Sequence, residues 1–245
     1  MSTFNYITPQ PIIELYECIQ GEGKYVGTPS ILLRMVGCTL RCFFGGDFCD
    51  TFYASWKIEK DKKRYTLEEV RDFLIKSKLK HLIISGGSPT LYPDLLKHLV
   101  WMGESNSKFI TIESEGSKFV DVNCDFLSLS PKLSNSIPPA TPAFGDARKI
   151  HLANYANYEI MKKQINYAND YQIKFVISSK EDVEEAKKII KKLNVPDNKI
   201  YLMPEGVYDE KIKQTATWLI PICIENNFNF SDRLHIRIFG NIRFV

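Results

Sequence analysis

Short apolar runs of strand length recur along the chain, and stretches with helical spacing of apolar residues lie between them. The runs predict strands at residues 29–35, 82–85, 109–113, 126–130, 174–178, 200–203 and 233–239. Helices are predicted to begin at Thr66, at Pro93, at residue 181 and near residue 209, the last one interrupted by Pro221. This alternation indicates a parallel sheet with crossover helices.

Local signals mark several helix ends. Thr66 and Glu69 form a capping-box pattern ahead of apolar residues at helical spacing. Pro93 fits the first turn of a helix that runs to about residue 102, and Pro196 ends the helix predicted over 181–193. These capping signals agree with the apolar periodicity.

The placement of glycine and polar residues favours one of two α/β architectures. An open Rossmann sheet and an α/β barrel both fit the alternation. Gly86-Gly87 and other polar segments follow directly after predicted strands, as in barrels whose site lies at the carboxyl ends of the strands. No Ser/Gly-rich linker or block of like charge interrupts the sequence, so we expect a single domain over residues 1–245.

Composition narrows the class of protein. With 32 Lys and Arg against 29 Asp and Glu, the net charge is only +3, and no basic stripe supports direct binding of nucleic acid. The sequence contains no run of about 18 apolar residues, so no membrane span is predicted. The N-terminus lacks the basic and apolar regions of a signal peptide. We therefore expect a cytoplasmic protein that acts on a small molecule.

Three cysteines crowd into one loop after the first predicted strand. Cys38, Cys42 and Cys49 supply soft thiolate ligands suited to an iron-sulfur cluster or to zinc. Three thiolates leave one iron of a 4Fe-4S cluster open to a cofactor, whereas structural zinc needs a fourth ligand. Two alternatives stay open at this point: buried structural cysteines, and a zinc site completed by His81, His98, His151 or His235. Cys18, Cys124 and Cys223 are interpreted as core thiols.

The cysteine loop resembles the CxxxCxxC loop of the radical S-adenosylmethionine (SAM) superfamily, and an ordered set of segments over nearly the whole chain resembles the 7-carboxy-7-deazaguanine synthase family. The segments are Gln20-Gly21-Glu22-Gly23, Gly27-Thr28-Pro29, Leu33-Arg34, Cys49-Asp50-Thr51, Ser85-Gly86-Gly87-Ser88-Pro89, Glu113-Ser114-Glu115-Gly116, Ser130-Pro131-Lys132, Lys174-Phe175-Val176, Met203-Pro204-Glu205-Gly206 and Arg233-Leu234-His235. A cysteine triplet alone would be much less specific than this ordered set.

The resemblance implies both fold and chemistry. The expected fold is an α/β partial (incomplete) TIM-like barrel of the radical SAM type, with about six parallel strands. The expected enzyme is a lyase that contracts the ring of 6-carboxy-5,6,7,8-tetrahydropterin to 7-carboxy-7-deazaguanine with loss of ammonia, in queuosine and 7-deazapurine biosynthesis. A 4Fe-4S cluster, SAM and Mg2+ are the implied cofactors, and a homodimer and a flavodoxin-like reductant are the implied partners.

Site residues follow from the same resemblance. The implied cluster ligands are Cys38, Cys42 and Cys49, and Thr51 is the implied Mg2+ ligand. Thr51, Arg34 and Glu22 are the catalytic candidates. Substrate binding is assigned to Ile19, Gln20, Gly21, Glu22, Arg34, Ser85, His235 and Val245. SAM binding is assigned to Phe48, Cys49, Asp50, Gly86, Gly87, Ser88, Ser130, Pro131, Lys132, Lys174 and Ser178.

Two positions depart from the family pattern. Six residues separate Cys42 from Cys49 instead of two, so the loop carries a four-residue insertion. Ser88 stands where the superfamily's GGE motif has a glutamate near the methionine amino group of SAM. A serine hydroxyl accepts a hydrogen bond without the charge assistance of a carboxylate.

Another radical SAM enzyme, such as an activase that installs a glycyl radical in a partner protein, is the nearest alternative. An activase needs a docking surface for that partner. It also gives no reason for Gln20-Gly21-Glu22 and Thr51 to be present. A non-catalytic zinc protein is the alternative from a different class.

Overall fold

The apolar runs form one mixed sheet in the computed structural model, which describes residues 4–58 and 62–244. In chain order the elements are β1 (Ile12–Ile19), β2 (Pro29–Met35), β3 (Phe43–Phe44), β4 (Asp47–Phe48), α1 (Phe52–Ser55), α2 (Leu67–Lys76), β5 (His81–Gly86), α3 (Pro93–Ser105), β6 (Phe109–Ser114), β7 (Phe126–Leu129), α4 (Gly145–Asn154), α5 (Tyr158–Tyr167), β8 (Tyr171–Ile177), α6 (Lys180–Leu193), β9 (Ile200–Pro204), α7 (Asp209–Glu225), β10 (Asn229–Phe230) and α8 (Leu234–Phe239). Short 3-10 turns connect several of them.

The sheet has the order β1-β2-β5-β6-β7-β8-β9-β10 among the described residues. β1 pairs antiparallel with β2, and every later neighbour pairs parallel. Strands β2 and β5 to β9 are the six longer parallel strands, and the two-residue β10 adds a short seventh. The expected partial barrel of about six parallel strands is thus confirmed, and the described strands do not close into a ring.

Burial on both faces explains why the parallel strands read as continuous apolar runs. Leu33, Ile84 and Leu129 are fully buried and belong to one core with apolar side chains of α2, α3, α6 and α7. The parallel register brings the carboxyl ends of the strands to the same edge, so that Met35 pairs with Gly86 and Ile177 with Pro204. Polar residues that follow these strands therefore meet at one end of the sheet.

The predicted helix starts are correct where a cap specified them. The Thr66 hydroxyl accepts a hydrogen bond from the Glu69 amide (3.1 Å), and the Glu69 carboxylate accepts one from the Thr66 amide (2.9 Å). Helix α7 is not interrupted as predicted, because it continues through Pro221 to residue 225. In the described part of the chain, no helix combines the length and the apolarity that crossing a bilayer requires.

The strand predicted at residues 233–239 is wrong. Its alternating apolar residues misled the prediction, because the segment is helix α8, in which Ile236 is buried while Ile238 and Phe239 are exposed. The Leu234 amide at the start of this helix donates to the Gly21 carbonyl (2.9 Å). The preceding residue, Arg233, pairs with Glu22 and Asp50. The sequence analysis also missed the strands β1, β3, β4 and β10 and the helices α1, α4 and α5.

The capping box of α2 offers a test of local stability. We expect Thr66→Ala to lower the free energy of unfolding by about 1 kcal/mol, because the amide of Glu69 loses its acceptor. Thr66→Ser keeps the hydroxyl and should stay close to wild type. Urea unfolding measures both changes, with the dependence of the unfolding free energy on urea concentration expected to keep the same slope. Equal unfolding midpoints for the two variants would show that the cap contributes nothing.

Candidate active site

The carboxyl ends of the parallel strands surround a cavity of about 320 Å³. The loop after β1, the cysteine loop and the region of α8 complete its wall. Most of the predicted site residues line this cavity: Ile19, Gln20, Gly21, Glu22, Arg34, Cys38, Cys42, Phe48, Cys49, Asp50, Thr51, Ser85, Gly86, Gly87, Ser130, Lys132, Lys174 and His235. Residues far apart in sequence thus share one space.

Four predicted residues are not on the cavity wall or cannot be placed. Ser88 is buried behind the wall, and Pro131 is likewise buried outside the lining. The backbone amide of Ser178 donates to Asp182 at the start of α6, outside the lining set. Val245 lies outside the described residues.

The three thiols of the cysteine loop face the cavity together and form no disulfide. Burial raises the pKa of Cys38 to about 12 and that of Cys49 to about 11, and it raises the pKa of Cys42 well above its usual value. The thiols therefore stay protonated without a metal, so loading of a metal centre releases protons. This donor set suits an iron-sulfur cluster, in which each thiolate binds a different iron.

The four-residue insertion forms the hairpin β3-β4. Gly45 and Gly46 turn it with positive φ angles of 55° and 111°, as a two-residue hairpin requires. The hairpin brings its two ends together, and the Cys49 amide donates to the Cys42 carbonyl (3.2 Å). The second and third cysteines are therefore neighbours in space despite six intervening residues.

An aromatic cluster holds this hairpin against the protein. The Phe48 ring lies 5.3 Å from Phe43, 4.9 Å from Trp56 and 6.3 Å from Phe144, measured between ring centroids. Trp56 also donates through Nε1 to the Cys42 carbonyl (3.0 Å). Because Phe48 lines the cavity as well, the hairpin both shapes the wall and positions a cysteine.

The histidines considered for a zinc site mostly have other partners. Both ring nitrogens of His81 bond hydroxyl groups, at 2.9 and 2.7 Å, and those of His151 contact the Arg41 amide and the Ser136 hydroxyl at 3.3 Å. Nε2 of His98 contacts the Tyr6 hydroxyl at 2.8 Å. His235 lies beside Glu22, at 3.9 Å. These contacts disfavour a closed Cys3His site.

A buried ion network forms part of the cavity wall. The Glu22 carboxylate binds Lys174 through one oxygen and Arg233 through the other, the latter at 3.1 Å. Arg233 also pairs with Asp50, the residue after Cys49. Burial alone would raise the pKa of Glu22, but Lys174 and Arg233 outweigh it and hold that pKa well below its usual range. Glu22 is therefore a carboxylate at neutral pH.

Arg34 is held by a second acidic residue. Its Nε donates to Glu14 at 2.5 Å, and Glu14, only 1% exposed, also accepts from Tyr53 and Arg243. Arg34 thus forms a buried ion pair and also lines the cavity. Glu14 orients that guanidinium.

Ser85 and Gln20 meet at a third carboxylate. The Ser85 hydroxyl donates to Glu113 at 2.7 Å, and the Gln20 amide nitrogen donates to its other oxygen at 3.4 Å. All three side chains line the cavity. The sequence analysis gave Glu113 no role, although it lies in one of the family-like segments.

The glycines at the end of β5, Gly86 and Gly87, are required by backbone packing. A Cβ on Gly86 would lie 2.3 Å from the Met35 carbonyl oxygen, and one on Gly87 would lie 2.2 Å from that of Gly37. Amides of Gly87 and Ser88 donate to these same two carbonyls, at 3.0 and 2.8 Å. The segment is thus pressed against the start of the cysteine loop, and its backbone forms part of the cavity wall.

Thr51 and Lys132 both line the cavity. The Thr51 hydroxyl lies 3.2 Å from the Cys49 sulfur and does not cap α1, which begins at the next residue. Lys132 donates to the carbonyl and hydroxyl oxygens of Ser130, each at 2.9 Å. Each side chain is therefore held by a residue two positions away in the sequence.

The sequence analysis assigned no role to several residues that line the cavity, namely Glu113, Glu115, Arg233, Tyr53 and Arg243. Arg243 pairs with Glu14. Glu113, Glu115 and Arg233 lie within segments that resemble the family, which was the available signal. Their contacts depend on strands and loops that are distant in sequence, so spacing alone could not assign them a partner.

The Glu22 network predicts a specific dependence of stability on pH. Because the folded pKa is depressed, the stabilisation is fully present above the ordinary Glu pKa of about 4.3 and is lost as the pH falls below it. At pH 7, Glu22→Gln should lower the free energy of unfolding by about 3–5 kcal/mol, because buried cations lose their counter-charge. Urea midpoints of the metal-free chain from pH 7 to pH 3 measure both effects.

The Glu22→Gln variant should lose less stability than wild type between about pH 5 and pH 3, since the amide that replaces the carboxylate has no proton to gain. Glu159→Gln, which removes an exposed pair with Lys162, is the control. Parallel pH profiles for wild type and Glu22→Gln would contradict the depressed pKa.

Comparison with known proteins identifies the family. No family model matches the chain. The chain is 36% identical over 232 residues to the 7-carboxy-7-deazaguanine synthase of Rhodopirellula baltica. The aligned region covers 95% of this chain and 87% of the relative. The synthase of the same name from Halobacterium salinarum is 29% identical, with 94% and 91% of the two chains covered.

The fold has a solved counterpart in the crystal structure of QueE from Escherichia coli, with a TM-score of 0.66 at 23% identity over 92% of this chain and 94% of that chain. At that identity the structural likeness establishes the shared fold. The extent of the sequence match, together with the ordered segments around the cavity, shows that this chain belongs to the 7-carboxy-7-deazaguanine synthase family.

Proposed function

We propose that the chain is a 7-carboxy-7-deazaguanine synthase, a radical SAM lyase of 7-deazapurine biosynthesis. It would convert 6-carboxy-5,6,7,8-tetrahydropterin to 7-carboxy-7-deazaguanine and ammonia. The observation that carries the proposal is that the three loop cysteines and the Glu22 network face the same cavity. One end of the space suits a cluster, and the other suits a polar, anionic ring.

The cysteines and the segments at the carboxyl ends of β5 and β7 form the proposed cofactor end. Cys38, Cys42 and Cys49 would hold a 4Fe-4S cluster, which with bound SAM supplies radical hydrogen abstraction. Backbone atoms of Gly86 and Gly87, and the Ser130 and Lys132 side chains, line the cavity next to these thiols. Leu40 and Val176 add apolar wall that excludes water from this end.

The substrate end is organised by charges that are already paired. Each carboxylate oxygen has two acceptor positions, so Glu22 keeps capacity for the guanidine-like edge of the pterin while bound to Lys174 and Arg233. Arg34, oriented by Glu14, is the proposed partner of the substrate carboxylate. Gln20, Ser85 and His235 complete this end, with Ile19 and Gly21 supplied by the loop after β1.

Mg2+ is proposed to bind at Thr51. Hydroxyl and carboxylate oxygens are ligands that Mg2+ prefers, and a protein often supplies only one or two of them. The Thr51 hydroxyl lines the cavity and is not used as a helix cap. A metal held there would place positive charge near the substrate carboxylate.

The proposal includes partners and location. A homodimer is supported by exposed apolar side chains near the C-terminus, since Ile238, Phe239, Ile242 and Phe244 are between 43% and 62% exposed.

The electron for the cluster must come from outside the chain, and a flavodoxin-like protein is the proposed donor. Thiols that ligate a cluster stay reduced in the cytoplasm, which is the proposed compartment.

Anaerobic turnover tests the proposed reaction. Reconstituted protein given SAM, dithionite, Mg2+ and 6-carboxy-5,6,7,8-tetrahydropterin should form 7-carboxy-7-deazaguanine, detected by mass spectrometry. Cys38→Ala should lose most of the bound iron and all turnover, whereas Cys223→Ala, a core thiol away from the cavity, should keep both. Full iron content in Cys38→Ala would remove the cluster assignment. Release of 5′-deoxyadenosine without the deazaguanine would exclude the proposed substrate.

The Mg2+ assignment predicts a change in metal response. Thr51→Ala should raise the Mg2+ concentration needed for half-maximal turnover by about tenfold, the equivalent of one lost ligand contact of about 1.4 kcal/mol. Thr51→Ser keeps the hydroxyl and should respond like wild type. An Mg2+ titration identical for all three proteins would clear Thr51 of this role.

A further inference from the structure

Ser88, which replaces the family's glutamate, is linked directly to another acidic residue. Its side chain is fully buried, and its hydroxyl donates to Oε1 of Glu115 at 2.8 Å. Ser88 follows β5, and Glu115 follows β6, the next strand of the sheet. The carboxylate absent at position 88 is therefore present beside it, supplied by the neighbouring strand.

The two oxygens of Glu115 have unequal surroundings. Oε1 accepts hydrogen bonds from Thr39 (2.8 Å), Ser88 (2.8 Å) and Ser117. Oε2 is buried and has no hydrogen-bond partner within the described part of the chain. Leaving a buried acceptor unpaired costs about 1–3 kcal/mol, more when it is charged.

The unpaired oxygen belongs to a cavity-lining side chain. Glu115 is only 6% exposed, yet it lines the cavity with Cys38, Gly86, Gly87 and Lys132. Thr39, one of its donors, directly follows Cys38, so the carboxylate is tied to the loop that would carry the cluster. A cationic donor bound at the cofactor end would satisfy Oε2.

We propose that Glu115 takes over the role of the glutamate expected at position 88, with its Oε2 accepting a hydrogen bond from the α-ammonium group of SAM. The inference rests on the proposed function, because it requires SAM at the cofactor end. Ser88, Thr39 and Ser117 act as positioning residues that hold Oε1 and aim Oε2.

The same geometry explains why position 88 is a serine here. A glutamate at 88 would bring a second carboxylate to the buried position where the Ser88 hydroxyl now donates. Two carboxylates in contact disfavour the charged form of each. Serine at 88 and glutamate at 115 are therefore a matched pair, and exchanging them together should preserve one carboxylate at this spot.

Binding of SAM to the anaerobically reconstituted protein, measured by equilibrium dialysis, tests this inference without turnover. Glu115→Gln should raise the Kd for SAM about 10- to 100-fold, because a charge-assisted hydrogen bond is lost. The Kd for 5′-methylthioadenosine, which lacks the amino-acid part of SAM, should not change. The double variant Ser88→Glu/Glu115→Ser should recover the SAM affinity to within about threefold of wild type. Glu184→Gln, on the exposed face of α6, is the control.

The outcomes separate this inference from the proposed function. Cluster-loaded wild-type protein that does not bind SAM would overturn the proposed function. An unchanged SAM Kd in cluster-loaded Glu115→Gln would overturn the role of Glu115 alone, as would equal weakening for SAM and methylthioadenosine. If Glu115→Gln does not load a cluster, the double variant Ser88→Glu/Glu115→Ser is the test. Recovery of its SAM affinity would support the role of Glu115. A cluster-loaded double variant that binds SAM weakly would overturn that role.

Discussion

The carboxylate of Glu22, buried between Lys174 and Arg233, is the contact on which the site depends. These residues lie on the loop after β1, on β8 and just before α8, and Asp50 extends the network to the cysteine loop. Buried ions are costly unless they are paired, so each segment is held where its charge finds a partner. The network thereby joins segments from both ends of the chain in the cavity wall.

The cysteine loop is placed by contacts that its insertion adds. A flexible insertion adds little closure entropy, but it does not by itself bring two ligands together. The β3-β4 hairpin and its aromatic cluster do so, because they fold six residues back until the Cys49 amide reaches the Cys42 carbonyl. Gly87 and Ser88, bonded to the carbonyls of Met35 and Gly37, join this loop to the end of β5.

Four glutamates have distinct tasks set by their neighbours: Glu22, Glu113 and Glu115 line the cavity, and Glu14 binds Arg34, which also lines it. Glu14 orients Arg34, Glu22 binds two cations, and Glu113 accepts from two neutral donors. Glu115 differs in having one oxygen crowded by hydroxyl donors and the other without a partner in the described chain. Electrostatic surroundings, rather than residue type, distinguish a structural carboxylate from one prepared for a ligand.

The sequence alone determined where the six longer parallel strands and the helices α2, α3, α6 and α7 lie along the chain, because apolar periodicity and caps are local signals. It also indicated the cysteine loop and, through ordered segments, the residues that gather at the cavity. Only the tertiary structure decided that residues 234–239 form a helix, since the alternation of apolar residues is compatible with a strand or a short helix until the preceding Arg233 has a partner. The tertiary structure likewise decided that Glu115 lies beside Ser88. These residues are 27 positions apart in the sequence, and they meet because the parallel strands β5 and β6 pair through their backbones. No local sequence pattern encodes that pairing.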